Sequence, residues 1–262
     1  MGNIRVSFED QVAILTIDNP PSNCITTTMF RQLGDYVQVI NDSQEIRAAV
    51  IQGSGSSLYT VGADIHEMEV HARLADRKAA VLHWLRSCNS VITQIDEARV
   101  PFICAMKGIS FGAGLEIGAA CDIRIAADGA RFAMPEIKLG IIPGYGGTQR
   151  LSRLMGTGHA LALVVSAQEF DVEVAQRWGL IDIVTAKGES EATALSLART
   201  IAGYGPLAVA SARCAIRRGG HGDLATGLAN EQELFLQCAT SADFDEGLHA
   251  FLEKRSPLFA GK

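Results

Sequence analysis

Short apolar segments alternate with segments of helical spacing as far as Gly188, and this alternation constrains the fold more than any other feature of the chain. Apolar residues alternate at Ile4, Val6 and Phe8, and a second apolar run with Val12, Ile14 and Ile17 follows the polar pair DQ, a pattern typical of a β-hairpin. From Thr26 the apolar residues take helical spacing, as they do again around Trp84. Further strand candidates are the runs AAVIQG, VPFICAMKG, DIRIAAD, ARFAM and LIDIVTA. Strands that alternate with helices predict an α/β fold built from repeated βαβ-like turns.

Strand signals stop after Gly188, and the rest of the chain has helical spacing, for example at Phe244, Leu248 and Phe251. The chain has 262 residues, of which 48% are hydrophobic, so it can bury a sizeable core. We predict a core with the active site at residues 1–195 and a helical region at residues 196–262.

Composition and charge argue against several classes of function and partner. Lys and Arg number 23 against 29 Asp and Glu, a net charge of -6, and no basic tract occurs. This argues against a nucleic-acid partner. No run is apolar enough to span a bilayer, and MGNIRVSFED lacks a signal-peptide core, so we expect a cytoplasmic protein. The six cysteines are scattered without a CxxC pair, which predicts reduced thiols and no metal site.

The run GISFGAGLEIGAACD, residues 108–122, places one carboxylate, Glu116, among small and apolar residues. An unpaired buried carboxylate is costly, so its presence indicates a function. The run FGAGLE can form a tight strand-to-helix turn with free backbone N–H groups at the helix start. A second carboxylate, Glu136, follows beyond the strand DIRIAAD. Two carboxylates near free N–H groups are suited to proton transfer beside a carbonyl.

Two other chemistries fit the glycine-rich runs less well. GYGGT lacks the GxxxxGK pattern of a phosphate-binding loop. Residues 108–112 match G-x-S-x-G, so Ser110 is a candidate nucleophile, with Asp182 and either His221 or His249 as partners. That hypothesis gives Glu116 no role and lacks an oxyanion loop, and a loop hydroxyl is the simpler interpretation of Ser110.

The segment from ICAMKG to RLMG closely resembles the signature region of enoyl-CoA hydratases in the crotonase superfamily. The upstream YTVGADIHEM and the C-terminal EGLHAFLEKRSPLF resemble other conserved parts of that family. The resemblance implies a crotonase-like spiral of ββα turns, followed by a helical trimerisation region. It also implies a homotrimer or a dimer of trimers.

The resemblance further implies the roles of the site residues. The backbone N–H groups of Ala63 and Ala113 would form an oxyanion hole for a thioester oxygen. Glu116 would activate water for attack at C3, and Glu136 would protonate C2. Gly144 would place an N–H near the water. The substrate would be an acyl-CoA, with neither a cofactor nor a metal ion.

By the same resemblance, the coenzyme A moiety would contact a set of seven residues, namely Asn23, Cys24, Ala63, Asp64, Ile65, Phe251 and Lys254. Several positions depart from the family pattern, namely Cys24, Tyr59, Val61, His66 and Ala113. These departures suggest a pocket modified for a branched or cyclic acyl group, and packing alone accounts for them equally well.

The function that follows is an enoyl-CoA hydratase, a lyase that adds water reversibly across the C2=C3 bond of a 2-enoyl-CoA. An enoyl-CoA isomerase and a cyclic dienoyl-CoA hydratase of the same superfamily are the alternatives. A hydrolase using Ser110 and an RNA-binding relative are more distant ones. The RNA-binding relatives carry a lysine-rich helix, whereas this chain has only CAIRRGG.

Overall fold

The structure is a computed structural model, and it describes residues 2–220 and 222–262. Strands β1 (Asn3–Glu9) and β2 (Val12–Asp18) pair antiparallel. The two residues between them, Asp10 and Gln11, have φ angles of 47° and 68°. A two-residue turn with positive φ matches the twist of the strands that it joins. The predicted hairpin is therefore confirmed.

The other elements follow in chain order. The strands are β3 (Ala48–Gly53), β4 (Leu58–Thr60), β5 (Phe102–Met106), β6 (Ile109–Phe111), β7 (Ile123–Ala127), β8 (Arg131–Ala133), β9 (Phe170–Asp171) and β10 (Ile183–Thr185). The helices are α1 (Thr27–Asp42), α2 (Ile65–Ala72), α3 (Arg77–Asp96), α4 (Ala113–Ala120), α5 (Gly147–Met155), α6 (Thr157–Ser166), α7 (Val172–Arg177), α8 (Ser190–Ala202), α9 (Pro206–Gly219), α10 (Leu224–Ala239) and α11 (Ala242–Glu253). A short 3-10 helix spans Pro135–Leu139.

The strands form two sheets. The larger sheet has the order β1-β2-β3-β5-β7-β10, and all its pairs except β1-β2 are parallel. The smaller sheet has the order β4-β6-β8-β9. Because β3 and β5 are covered on both faces, they appear in the sequence as apolar runs rather than as alternating patterns. Strand β7 is also buried, but it includes the charged residue Arg124.

The larger sheet separates two cores. On one face β3 directs Ala48 and Val50 toward α8, which contributes the small residues Ala194 and Ala198. On the other face the same strand directs Ala49 and Ile51 toward the main core, which includes α1, α3 and α4. Alternate residues of one strand thus fill opposite cores, as the period of two requires.

The predicted α/β fold with a helical C-terminal region is confirmed, since α8–α11 follow the last strand. The predicted boundary at residue 195 falls within α8, and the division at that residue stays a prediction. None of the helices in the described residues combines the length and apolarity that crossing a membrane requires.

One side chain closes the end of α1. The Arg99 guanidinium donates to the carbonyl oxygens of Asn41 (3.3 Å) and Ile46 (2.9 Å), and also to that of Ser43. The Arg99 N–H donates to Asn41 Oδ1 at 2.9 Å. The last carbonyls of a helix have no partner inside the helix, so one arginine satisfies several orphan acceptors here.

Arg99→Met is expected to lower the free energy of unfolding by about 2–4 kcal/mol, because it leaves several partly buried carbonyls without a donor. Arg86→Met is the matched control, since Arg86 is exposed on α3 and makes no side-chain hydrogen bond within the described residues. Its effect should stay within about 0.5 kcal/mol. Guanidinium denaturation at one protein concentration measures both, and equal stability of the two variants would contradict this role for Arg99.

Candidate active site

The first part of the site is the turn between β6 and α4. Gly112 has φ 49° and ψ -122°, a conformation that residues with a Cβ avoid. The turn delivers Ala113 to the first position of α4, where an N–H has no acceptor inside the helix. No acceptor for this N–H is found among the described residues. The positive end of the helix dipole lies at the same point.

A second free N–H lies beside the first. Gly62 O accepts a hydrogen bond from Ile25 (2.8 Å) and Asp64 N–H donates to Ile25 O (3.0 Å), which leaves the intervening Ala63 N–H without an acceptor in the described chain. A Cβ placed on Gly62 would lie 3.4 Å from Ala113 N. The two segments are therefore in close contact, and two adjacent N–H groups are the equipment of an oxyanion hole.

Glu116 lies one turn into α4 and is only 2% exposed. Its Oε1 accepts two backbone hydrogen bonds of 2.8 Å, from the N–H groups of Tyr145 and Gly147. Its Oε2 makes no hydrogen bond with any residue that the structure describes. One oxygen thus fixes the carboxylate, and the other is available for a proton.

Burial raises the pKa of Glu116 from its usual 4.5 to about 7. The hydrogen bonds from Gly147 and Tyr145 oppose this rise, the negative charge of Glu136 adds to it, and the positive charge of Arg150 opposes it. A group with a pKa near neutrality can both take and give a proton at physiological pH.

Glu136 lies in the 3-10 helix and is half-buried. Its Oε2 is buried without a hydrogen-bond partner among the described residues. Its Oε1 would lie 2.9 Å from a Cβ placed on Gly112. Burial raises its pKa as well. The second carboxylate thus lies at the turn that begins α4, close to the free N–H of Ala113.

Aromatic side chains pack beside Glu116. The Tyr145 ring makes edge contacts with Phe30 and Trp84, at centroid distances of 5.1 and 5.7 Å. Trp84 also stacks on His71 at 5.2 Å.

The sequence did not predict Tyr145 and Gly147 as the donors to Glu116, and it placed an N–H near the water at Gly144 instead. The glycines of GYGGT were the available signal, and the role of Gly144 stays a prediction.

The predicted coenzyme A residues near Ala63 surround the start of α2. Asp64 caps this helix by accepting from His66 N–H at 2.8 Å, and Cys24 Sγ lies 3.9 Å from Asp64 Oδ2. Ile65 is largely exposed. Asn23 differs, because it is buried and its side-chain amide donates to the carbonyls of Ser54 and Tyr59.

Phe251 and Lys254 lie at the end of α11, which packs on α10. Phe251 is 80% exposed, and Lys254 ends the helix with φ 56°. Among the departures from the family pattern, Tyr59 is fully buried in the core, which accounts for this residue by packing.

The structure contradicts the hydrolase hypothesis. Ser110 is 0% exposed, and its Oγ has no hydrogen-bond partner within the described residues. Asp182 accepts from Arg124 N–H at 2.7 Å and forms an ion pair with its guanidinium. His249 lies on α11, and His221 lies outside the described residues. Ser110 is therefore a core hydroxyl of β6.

No group of three or more His, Cys, Asp or Glu residues in the described ranges, 2–220 and 222–262, has the arrangement of a metal site.

Proteins of one family resemble this chain over nearly its whole length. The family model for enoyl-CoA hydratase/isomerase matches residues 7–262. The short-chain-enoyl-CoA hydratase of Clostridium acetobutylicum is 37% identical, with 97% of this chain and 96% of that protein covered. The 2,3-dehydroadipyl-CoA hydratase of Escherichia coli is 35% identical over the full length of both chains. The crystal structure of an enoyl-CoA hydratase from Bacillus anthracis superposes with a TM-score of 0.93, at 33% identity, over 99% of this chain and 100% of the other.

The chain belongs to the enoyl-CoA hydratase/isomerase family, and the predicted crotonase-like fold is confirmed.

Gly112→Ala is expected to destabilise the protein more than Gly129→Ala. Both glycines have positive φ, but a Cβ at Gly129 meets open space, whereas one at Gly112 meets Glu136. Gly129→Ala should cost about 1–2 kcal/mol, and Gly112→Ala about 1–3 kcal/mol more. Denaturant unfolding of both variants, alone and combined with Glu136→Ala, measures this.

In the Glu136→Ala background the cost of Gly112→Ala should fall by about 1 kcal/mol or more, because the contact is gone. An unchanged cost of Gly112→Ala in the Glu136→Ala background would show that Glu136 does not lie against this turn.

Proposed function

We propose that this protein is an enoyl-CoA hydratase that adds water reversibly across the C2=C3 bond of a 2-enoyl-CoA thioester. The observation that carries the proposal is the pairing of Glu116 and Glu136 beside the free N–H groups of Ala63 and Ala113. The printed names of the clostridial and Escherichia coli relatives support the same reaction.

In the proposed mechanism the thioester oxygen accepts hydrogen bonds from Ala63 and Ala113. The Glu116 carboxylate takes a proton from water as the water oxygen bonds to C3. The C2=C3 electron pair moves toward the thioester, which becomes enolate-like, and protonated Glu136 then gives its proton to C2. The proton that Glu116 has taken then returns to Glu136 through solvent, which restores both carboxyl groups. One water is added in total, and the reverse sequence removes it. Loss of one donor from such a hole typically costs on the order of 100- to 1000-fold in rate.

The raised pKa values suit these roles. Glu116, with a pKa of about 7, is partly ionised at neutral pH and can accept a proton. Burial favours the protonated form of Glu136, which is the form that donates. The step needs only water and the enoyl thioester.

An isomerase that shifts a double bond is the second candidate, because one carboxylate can move a proton between two carbons of the same substrate. The two hydrogen bonds that hold Glu116 favour hydration, since a fixed second carboxylate is what a bound water needs. Glu136 alone would suffice for isomerisation.

For the coenzyme A moiety, we propose binding along the start of α2, at Ala63, Asp64 and Ile65, with Cys24 beside them. The capping of α2 by Asp64 and the exposure of Ile65 are consistent with this. Asn23 would support this surface from within, and Phe251 and Lys254 would reach the ligand from α11.

We also propose a homotrimer or a dimer of trimers. The C-terminal helices and the tail expose large apolar side chains, among them Ile216, Leu224, Phe235, Leu236, Phe251, Leu252 and Leu258. Apolar area of this extent on one region is typical of a surface that is buried between subunits.

Glu116→Gln and Glu136→Gln should each lower kcat for crotonyl-CoA hydration by about 100-fold or more, because each keeps its shape but loses proton transfer. The double variant should lose little more, since the two residues act as a unit. Glu173→Gln, an exposed glutamate on α7, is the control and should hydrate at the wild-type rate.

Loss of the enoyl thioester absorbance measures hydration, and the double-bond shift of a 3-enoyl-CoA is assayed in parallel. A folded Glu116→Gln variant that hydrates crotonyl-CoA at the wild-type rate would refute the role of Glu116. If Glu116→Gln retains isomerisation and Glu136→Gln loses it, the isomerase is favoured.

Sedimentation at micromolar concentration should give a trimer or hexamer. Leu236 of α10 is 62% exposed in the single chain, on the surface that we propose is buried between subunits. Leu236→Glu should shift the protein toward smaller species, because it places a charge in that interface. Phe8→Glu, which changes a 55%-exposed apolar residue on β1, should leave the assembly intact. A wild-type monomer under these conditions would contradict the proposed assembly.

A further inference from the structure

Arg150 lies in α5, and only 15% of its side chain is exposed. Its Nε pairs with Asp96 Oδ2 at 3.3 Å, its Nη2 donates to Thr93 Oγ1 at 3.0 Å, and its Nη1 lies 3.4 Å from Asn89 Oδ1. All three partners belong to α3. A guanidinium held on both its edges in this way has little freedom to move.

The same guanidinium contacts the loop that holds Glu116. Arg150 Nη1 donates to Tyr145 O at 3.1 Å. Gly146 has φ 97°, and a Cβ placed there would lie 2.1 Å from Arg150 Nη1. The loop backbone therefore rests directly on the guanidinium. The residues on either side of Gly146 supply the two N–H groups that bind Glu116 Oε1.

We propose that Arg150 is a positioning residue for the hydration reaction, one that fixes the 145–147 loop in its N–H-donating conformation and supplies the counter-charge to Glu116. This inference rests on the proposed function, because it assumes that Glu116 acts as the base. It assigns no contact between Arg150 and the substrate.

The charges around Glu116 come from several elements. Glu136, on the 3-10 helix, disfavours its ionisation, and Arg150, on α5, favours it. Cys88 of α3 and Tyr145 of the loop are neutral at physiological pH, because burial raises the pKa of Cys88 to about 11 and that of Tyr145 far above its usual value. Asp96 lies behind Arg150 and pairs with it, so it offsets part of the positive charge.

The sign of the effect follows from these charges. Without Arg150 the pKa of Glu116 rises above its value of about 7, so a higher pH is needed to form the carboxylate. The acidic limb of the kcat/KM profile for hydration should then move up by about 0.5 to 1 pH unit. Without the charge of Asp96 the positive charge of Arg150 is offset less, so the limb should move down.

The experiment measures crotonyl-CoA hydration from about pH 5.5 to about pH 9 for the wild type and three variants. Arg150→Met should raise the acidic limb and lower kcat by about 10-fold or more, because the loop loses its support. Asp96→Asn should lower the limb. Arg150→Lys keeps the charge but not the planar fork, so its limb should stay near that of the wild type while part of the loss in kcat persists.

A purely structural role for Arg150 would lower stability in all three variants and leave the limb in place. An unmoved limb in Arg150→Met, or an upward shift in Asp96→Asn, would overturn the proposal. If Arg150→Met does not fold, Asp96→Asn decides alone: a lower limb supports the counter-charge, and an unmoved or higher limb refutes it.

Failure of this inference can be told apart from failure of the proposed function. If Glu116→Gln hydrates crotonyl-CoA at the wild-type rate, Glu116 is not the base, and the proposed function is refuted whatever the result for Arg150. If Glu116→Gln is inactive and the limb of Arg150→Met is unmoved, only the role of Arg150 is wrong.

Discussion

The structure depends on a buried carboxylate that is held by two backbone N–H groups. Glu116 is surrounded by small and apolar residues, and without the donors from Tyr145 and Gly147 its burial would be costly. The donors require a loop that approaches closely. A Cβ on Gly147 would lie 2.8 Å from Glu116 Oε1, so only glycine allows this N–H to reach the carboxylate. Gly118 of α4 has a different cause, because a Cβ there would lie 2.2 Å from Met106 Cε in β5, against which the helix packs.

The sequence predicted those features that have a local cause. Strands β3 and β5 appear as apolar runs because both of their faces are buried, and the β6–α4 turn is visible in its glycines. Strand β4 was not among the predicted strands, because its three residues are too few to have a detectable period. The carboxylate pair could be proposed from its unusual setting. Its backbone donors and Arg150 could not, because they depend on which loop the tertiary fold brings to α4.

The raised pKa of Glu116 has a price in stability. A carboxylate whose folded pKa exceeds its unfolded value binds its proton more tightly in the folded state. The contribution of Glu116 to the free energy of unfolding is therefore fully present below pH 4.5, and it is lost as pH rises through about 7. A difference of about 2.5 pKa units corresponds to on the order of 3 kcal/mol at alkaline pH. The protein thus tolerates a destabilising group at the pH where that group can act as a base.

An ionic network links the site to the C-terminal helices. Asp96 pairs with Arg150 on one side and with Arg217 of α9 on the other. Arg217 and its neighbour Arg213 both pair with Asp122, which follows α4. A chain of partly buried charges of this kind loses more when one member is removed than a single surface pair does, because a charge is left without its partner. The end of α4 and the support of the 145–147 loop are therefore tied to α9. Helix α9 therefore belongs to the framework that fixes Glu116, and this role of the C-terminal region does not depend on the assembly proposed for it.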